Sequence, residues 1–282
     1  MNRLLRELAP ISDAGWELIE NEAKPRLTTF LAARKLVDFS GPSGWQHSAT
    51  SLGRSASVQG PTERVTARQR RVLPLVELRA EFSVSRAELN DADRGAKDLD
   101  LADLDQAVRR IALAENMVVF GGYQAAGIEG ISKTSSHPTV ALDADFTRYP
   151  IGVARALNTL RDAGIEGPSG LAISPEGYTG IIETSEPGEL LVDHLNRILG
   201  GPVVWAPGVQ GGIVLSLRGG DFILDSGQDL SIGYLDHSAT SVTLYLEESF
   251  SFRVLEPTAA VVLAPAGSRR EPARAGRRSQ VG

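Results

Sequence analysis

Residues 62–82 read TERVTARQRRVLPLVELRAEF, and the change of character within this run sets the architecture. Leu73 to Phe82 (LPLVELRAEF) is the strongest strand candidate in the chain, whereas TERVTARQRR at 62–71 is too polar for a core. With Gly60 and Pro61 at a turn, the segment from about Ala49 to Ser85 reads as extended. Such an arm has little of its own to bury, and a lone ribbon cannot offset the entropy of ordering it in water. It therefore needs another surface, most simply a neighbouring copy of the chain.

Toward the N-terminus, Ser12 or Asp13 caps a helical pattern with Trp16, Ile19, Ala23, Leu27, Leu31 and Arg34 along one stripe. Pro25 interrupts it; a proline lacks the amide donor and clashes one turn back, so the pattern predicts two helices with Pro25 in the first turn of the second. A turn follows at Gly41 to Gly44. Beyond the arm, Leu101 to Phe120 is the longest helical candidate, with Leu101, Leu104, Val108, Ile111, Ala112, Val118 and Val119 in phase and Asp98 or Asp100 as cap. Helices at about Ile151–Ala163, Pro175–Ile182 and Glu189–Leu199 then alternate with strands at Leu171–Ile173, Val203–Ala206 and Gly212–Leu217, which reads as a compact α/β unit. Phe222–Leu224, Asp229–Tyr234, Ser241–Val254 and Ala259–Leu263 are strand-like, and no internal repeat is present.

The 282 residues are 42% apolar and 23% charged, an ordinary globular composition. The start MNRLLRELAPISD places Arg3, Arg6 and Glu7 where a signal peptide needs an apolar run, so the cytoplasm is the expected compartment. The absence of cysteine excludes disulfides, thiolate metal sites and a thiol nucleophile. The net charge of -6 is uneven: five of the 29 basic and one of the 35 acidic residues lie in Pro265 to Gly282, leaving 24 basic against 34 acidic elsewhere. An acidic body argues against nucleic acid as the main partner. The tail, PAGSRREPARAGRRSQVG, reads as disordered: a solubilising terminus, or an Arg-rich arm for an acidic surface or polynucleotide.

Catalytic patterns do not emerge. His47, His137, His194 and His237 are scattered, with no helical ligand pair and no Glu-x-x-His pair. Neither Gly-x-Ser-x-Gly nor a nucleotide-binding glycine loop is present, and Gly219, Gly220 and Asp221 read as a tight turn. Aromatics make up 6% of the chain and are not interleaved with basic residues; Trp16, Trp45 and Trp205 read as core. No metal site follows from the residues.

A series of motifs resembles the encapsulins, whose shell proteins share the fold of tailed-phage capsids. They are LAP at Leu8, RKLVDFSGPSGW at Arg34, LPLVELRAEF at Leu73, ELNDADRG at Glu88, GIEGP at Gly164, RGGDFILDSGQDLSIGY at Arg218 and LYLEESFSF at Leu244. The resemblance runs from Arg6 to about Leu263 and implies an α+β, tailed-phage major-capsid-like fold. It implies N-terminal helices of a peripheral domain at 1–48, an extended loop at 49–85, peripheral domain with the long helix at 86–141, an axial domain at 142–218 and peripheral strands at 219–264, with the tail at 265–282. The implied function is a structural shell, not an enzyme, of about 60 copies in the smallest icosahedral case. The cargo would be a dye-decolourising peroxidase or ferritin-like protein held through its C-terminal peptide, in the service of iron handling or oxidative-stress defence. By the family's pattern, that peptide would dock on Leu27, Leu31, Arg34 and Asp38 from one side and Leu230, Ile232 and Tyr234 from the other; alternatively, Leu230 and Ile232 simply fill the core.

The ETSEPGE turn with Glu183, Glu186 and Glu189 would rim a five-fold pore, unless it is only a connecting loop. Some encapsulins bind flavin through a tryptophan before the ELD-type motif; Ala87 stands there in this chain, so no cofactor is implied. The nearest alternative is a phage or prophage major capsid protein packaging DNA, against which the acidic body and the motif series speak.

Overall fold

The computed structural model describes residues 3–186 and 189–265. In chain order the elements are α1 (Asp13–Phe30), β1 (Asp38–Ser40), β2 (Ala49–Val58), β3 (Ala67–Pro74), β4 (Val76–Ser85), α2 (Arg86–Asp93), α3 (Ala102–Gly121), α4 (Ile131–Thr134) and β5 (Val140–Ala141). There follow α5 (Tyr149–Asp162), β6 (Ser169–Ile173), α6 (Pro175–Glu183), β7 (Ser185–Glu186), β8 (Glu189–Leu190), α7 (Leu191–Leu199), β9 (Val203–Trp205), β10 (Gly212–Ser216), β11 (Phe222–Ser226), β12 (Ser231–His237), β13 (Ser241–Val254) and β14 (Ala260–Ala264).

Two five-stranded sheets organise these elements. In the first, β13 is central: β4 runs along one edge, and β11 and β12 follow one another along the other, with β1 outside β11. Helix α3 packs on β4 and β13, and α1 packs on α3. The second sheet runs β5-β14-β10-β6-β9 and carries α5 and α7 against it. Both β6 and β10 are buried throughout, as expected of strands covered on both faces. One apolar cluster, with Trp16, Ile19, Val108, Ile111, Ile232 and Leu246, lies under α1 and the near half of α3. The other, with Val118, Phe120, Leu171, Val214, Phe250 and Phe252, fills the α/β unit and the far end of the first sheet.

The structure corrects several expectations. Helix α1 is continuous, with Pro25 inside it, because Pro25 lies on the exposed side while Ile19 and Ala23 remain in phase against the core. Packing of that stripe outweighs the roughly 3 kcal/mol cost of an interior proline. The arm is also shorter than expected: only β2 and β3 project, pairing with each other alone, whereas Val76–Ser85 is integral to the first sheet with Ala80, Phe82 and Val84 buried. The closing strand, grouped with the peripheral strands by the sequence, instead pairs through Ala260–Leu263 with β10 in the second sheet. Its unbroken AVVL run is what a strand buried on both faces requires. Trp45 is 42% exposed, with the Arg3 guanidinium stacked on its ring, and is not a core residue. Trp16 is buried, and Trp205 is half-buried against Phe30 with ring centroids 5.4 Å apart.

Candidate functional site

Of the residues singled out by the sequence, Leu27 near the end of α1 and Leu230, Ile232 and Tyr234 at β12 share one apolar cluster. Leu27 and Leu230 are half-buried and pack against the cluster that holds Ile232 and Tyr234, so they form its outer layer. Ile232 and Tyr234 themselves are 6% and 8% exposed, contributing more to the core than to an open surface. Leu31 is buried just past the end of α1, where its amide donates to the carbonyl of Leu27 at 2.9 Å. Gly233 is close-packed: a Cβ there would meet the Tyr245 ring at 2.2 Å, so the β12–β13 pairing depends on its lacking a side chain.

Arg34 stands at the polar end of this surface. It occupies a short 3-10 turn, Ala33–Lys35, and its guanidinium is engaged on three sides: Nε donates to Glu115 Oε2 at 2.7 Å, Nη1 to Asp229 Oδ1 at 2.6 Å and Nη2 to Glu248 Oε2 at 2.8 Å. The same guanidinium lies 5.0 Å from the centre of the Phe39 ring. Glu115 and Glu248 are 0% and 1% exposed, and burial pushes both carboxyl groups above the usual range, Glu248 well above it. The three neighbouring carboxylates hold Arg34 firmly protonated, against its own desolvation. Asp229, half-buried, carries the cluster's charge toward the surface and also caps its own strand by accepting the Leu230 amide at 2.8 Å.

Asp38 is not part of this group. Its Oδ2 accepts the Gly220 amide at 2.5 Å, fixing the Gly219–Gly220 turn, where both glycines have φ near 85°. Sequence reasoning therefore joined Arg34 and Asp38, whereas the structure joins Arg34 to Glu115, Asp229 and Glu248. A signal for the missed pair existed: Glu115 follows Ile111 by four on the buried stripe of α3, and Glu248 interrupts the alternating apolar series Val242, Leu244, Leu246, Phe250 and Phe252 of β13.

The expected pore turn becomes a small hairpin in which β7 pairs with β8, Glu186 opposite Glu189, following Glu183 at the exposed end of α6. At the root of the arm, a depression of about 830 Å3 is lined by Leu52, Leu73, Gly122, Lys133, Arg253 and Leu255. The expected Arg-rich tail lies outside the described residues, except for Pro265.

The architecture recurs among known proteins. A virus-like particle chain from Pyrococcus furiosus superposes with a TM-score of 0.59 at 19% identity, covering 88% of this chain and 98% of that one. A chain of Mycobacterium phage Bobi gives 0.53 at 15% identity, over 84% and 91%. Identities this low establish the fold, which is the tailed-phage capsid-like α+β fold. The type 1 encapsulin shell protein of Rhodospirillum rubrum is 48% identical over 270 residues, 93% of this chain and 96% of that protein. The family model described as an encapsulating protein for peroxidase matches residues 1–251, and the chain belongs to that family, the type 1 encapsulin shell proteins.

Proposed function

We propose that this chain is a structural subunit, not an enzyme, whose copies close into an icosahedral shell of about 60 subunits around a cargo enzyme. The observation that carries the reading is the β2–β3 ribbon. Strand β3 is exposed from Arg68 to Val72, the ribbon pairs with no third strand among the described residues, and Leu52 on β2 and Val72 on β3 are apolar and exposed. An isolated ribbon of this kind is marginal in water, and a second copy of the chain would complete its packing. Family membership and the capsid-like fold point the same way.

Within that shell, residues 1–48, 86–141 and 219–254 form the peripheral part, β2 and β3 the extended loop, and the unit around the second sheet, with β14, the axial part. The inner wall binds the C-terminal peptide of a peroxidase or ferritin-like cargo. Leu27 and Leu230 offer apolar purchase beside Ile232 and Tyr234, and Leu31 joins them from the end of α1; Arg34 with Asp229 marks the charged end, and Asp38 holds the Gly219–Gly220 turn. Glu183, Glu186 and Glu189 line an acidic pore at the five-fold axis, and the particle resides in the cytoplasm.

Electron microscopy of the purified protein tests the assembly. Hollow particles of roughly 1.8 MDa are expected from about 60 copies of the 30.1 kDa chain. A stable, folded monomer that forms no particles would overturn the proposal.

A further inference from the structure

The two apolar clusters meet along a polar seam, and α3 and β13 both cross it. On α3, Ile111 belongs to one cluster and Val118 to the other, with Glu115 between them; on β13, Leu246 and Phe250 flank Glu248 in the same way. Arg34, following Ala33 of the second cluster, reaches into the seam and takes one oxygen from each glutamate, the Oε2 atoms. The remaining oxygens, Glu115 Oε1 and Glu248 Oε1, are both buried and have no donor among the described residues. Two buried carboxylate oxygens without a protein donor are expensive, since each is desolvated and each repels the other.

We propose that the seam is a proton-binding site, in which a single proton bridges Glu115 Oε1 and Glu248 Oε1 and ties the two halves of the subunit together. The charged groups facing it are Arg34 from the 3-10 turn, Glu115 from α3, Glu248 from β13 and Asp229 from the loop before β12. With the proton in place, one carboxylic acid donates to one carboxylate, and Arg34 balances the charge that remains. A metal ion fits less well, because the guanidinium already occupies the cation's place. The two carboxyl groups lie within hydrogen-bonding reach of each other, and burial favours the protonated form of both.

The sign of the consequence is fixed. Between the ordinary glutamate range and the pair's own titration, the folded state keeps a proton that the unfolded chain has lost, so this contribution is greatest at low pH and weakens tenfold in the folding equilibrium per pH unit as pH rises. Glu248→Gln replaces the shared proton by an amide donor and mimics the protonated state. Its apparent Tm should match wild type at about pH 4, where Glu248 is protonated in the folded and unfolded chain alike, and exceed it increasingly as pH rises until the pair itself loses the proton. A parallel displacement of the two Tm curves would overturn the proposal. Should the variant misfold, infrared spectra of the wild-type protein decide the matter: a protonated-carboxyl band that disappears as pH rises is expected, and a spectrum holding only carboxylate throughout the range rejects the site. Both readouts report the protonation of a site inside one subunit and compare proteins in the same assembly state, so failure here leaves the assembly reading intact.

Discussion

The backbone amide of Tyr234 donates to the carbonyl oxygen of Leu4 at 2.8 Å, so the N-terminal segment lies against the outer edge of β12. Arg3 fastens it by donating to Gln228 Oε1 at 3.1 Å and by bonding with Glu247. Leu5 takes φ 51° and ψ 25°, a left-handed conformation uncommon for a side chain of its shape. Removing residues 1–5 should cost about 1 kcal/mol for the bond to Tyr234 and make the Tyr234 amide exchange faster. Hydrogen exchange resolved at Tyr234 checks this; unchanged protection would mean that the segment does not cover the strand edge in solution.

Arg34→Ala should destabilise the subunit by about 3–5 kcal/mol, because it strands two buried carboxyl groups without their cation. The deficit should shrink on acidification, since protonating Glu115 and Glu248 removes the buried charge. Denaturant midpoints at neutral and mildly acidic pH measure it. A loss independent of pH would assign the effect to missing side-chain packing alone.

Ile232→Asp would place an unpaired charge in the core and damage the fold, so it tests the cargo surface poorly. Leu230→Asp alters the half-buried outer layer instead. Particles bearing it should form normally and lose cargo on co-expression, as read by the protein content of purified shells. Undiminished loading would remove this surface as the docking site.

The exposed Arg68 and Arg70 form no ion pair within the described residues, and Arg68 donates only to Ser55, through Nε at 2.9 Å to Oγ and Nη2 at 3.5 Å to the carbonyl. Reversing both to Glu should leave the far-UV circular dichroism unchanged and abolish large particles in light scattering, because a basic ribbon meeting an acidic body becomes repelled by it. Full-sized particles from the double variant would show that the ribbon's charge does not steer assembly.

Changing Glu183, Glu186 and Glu189 together to Gln should slow the entry of small cations into intact shells and leave neutral solutes unaffected. Stopped-flow uptake with an internal fluorescent indicator measures both. Equal cation rates before and after would exclude a role in permeation.

The long strand Ser241–Val254 and the helix from Ala102 were legible because each keeps one periodicity from end to end. The course of α1 was not, because a local rule about Pro25 competes with a tertiary contact that the residues beside it do not reveal. Strand β14 was visible as a strand, but its sheet was not, since an apolar run fits any buried neighbour. At the site, Leu27, Leu230, Ile232 and Tyr234, named together from the family's pattern, share one apolar cluster, which does not by itself make them a docking surface. The partners of Arg34 come from positions 81 to 214 residues away, and no spacing rule connects them.

Strand β3 runs into β4 with only Leu75 between them, and β4 is registered against β13 from Ser85 opposite Ser241 to Val76 opposite Phe250. Ladder bonds lie across the strands, so tension along the ribbon stretches all of them in shear and cannot peel them open singly. If a swelling particle drags on its neighbours through their ribbons, the force enters the stiffest seam of each subunit, and the wall should yield at contacts between chains before any one chain unravels.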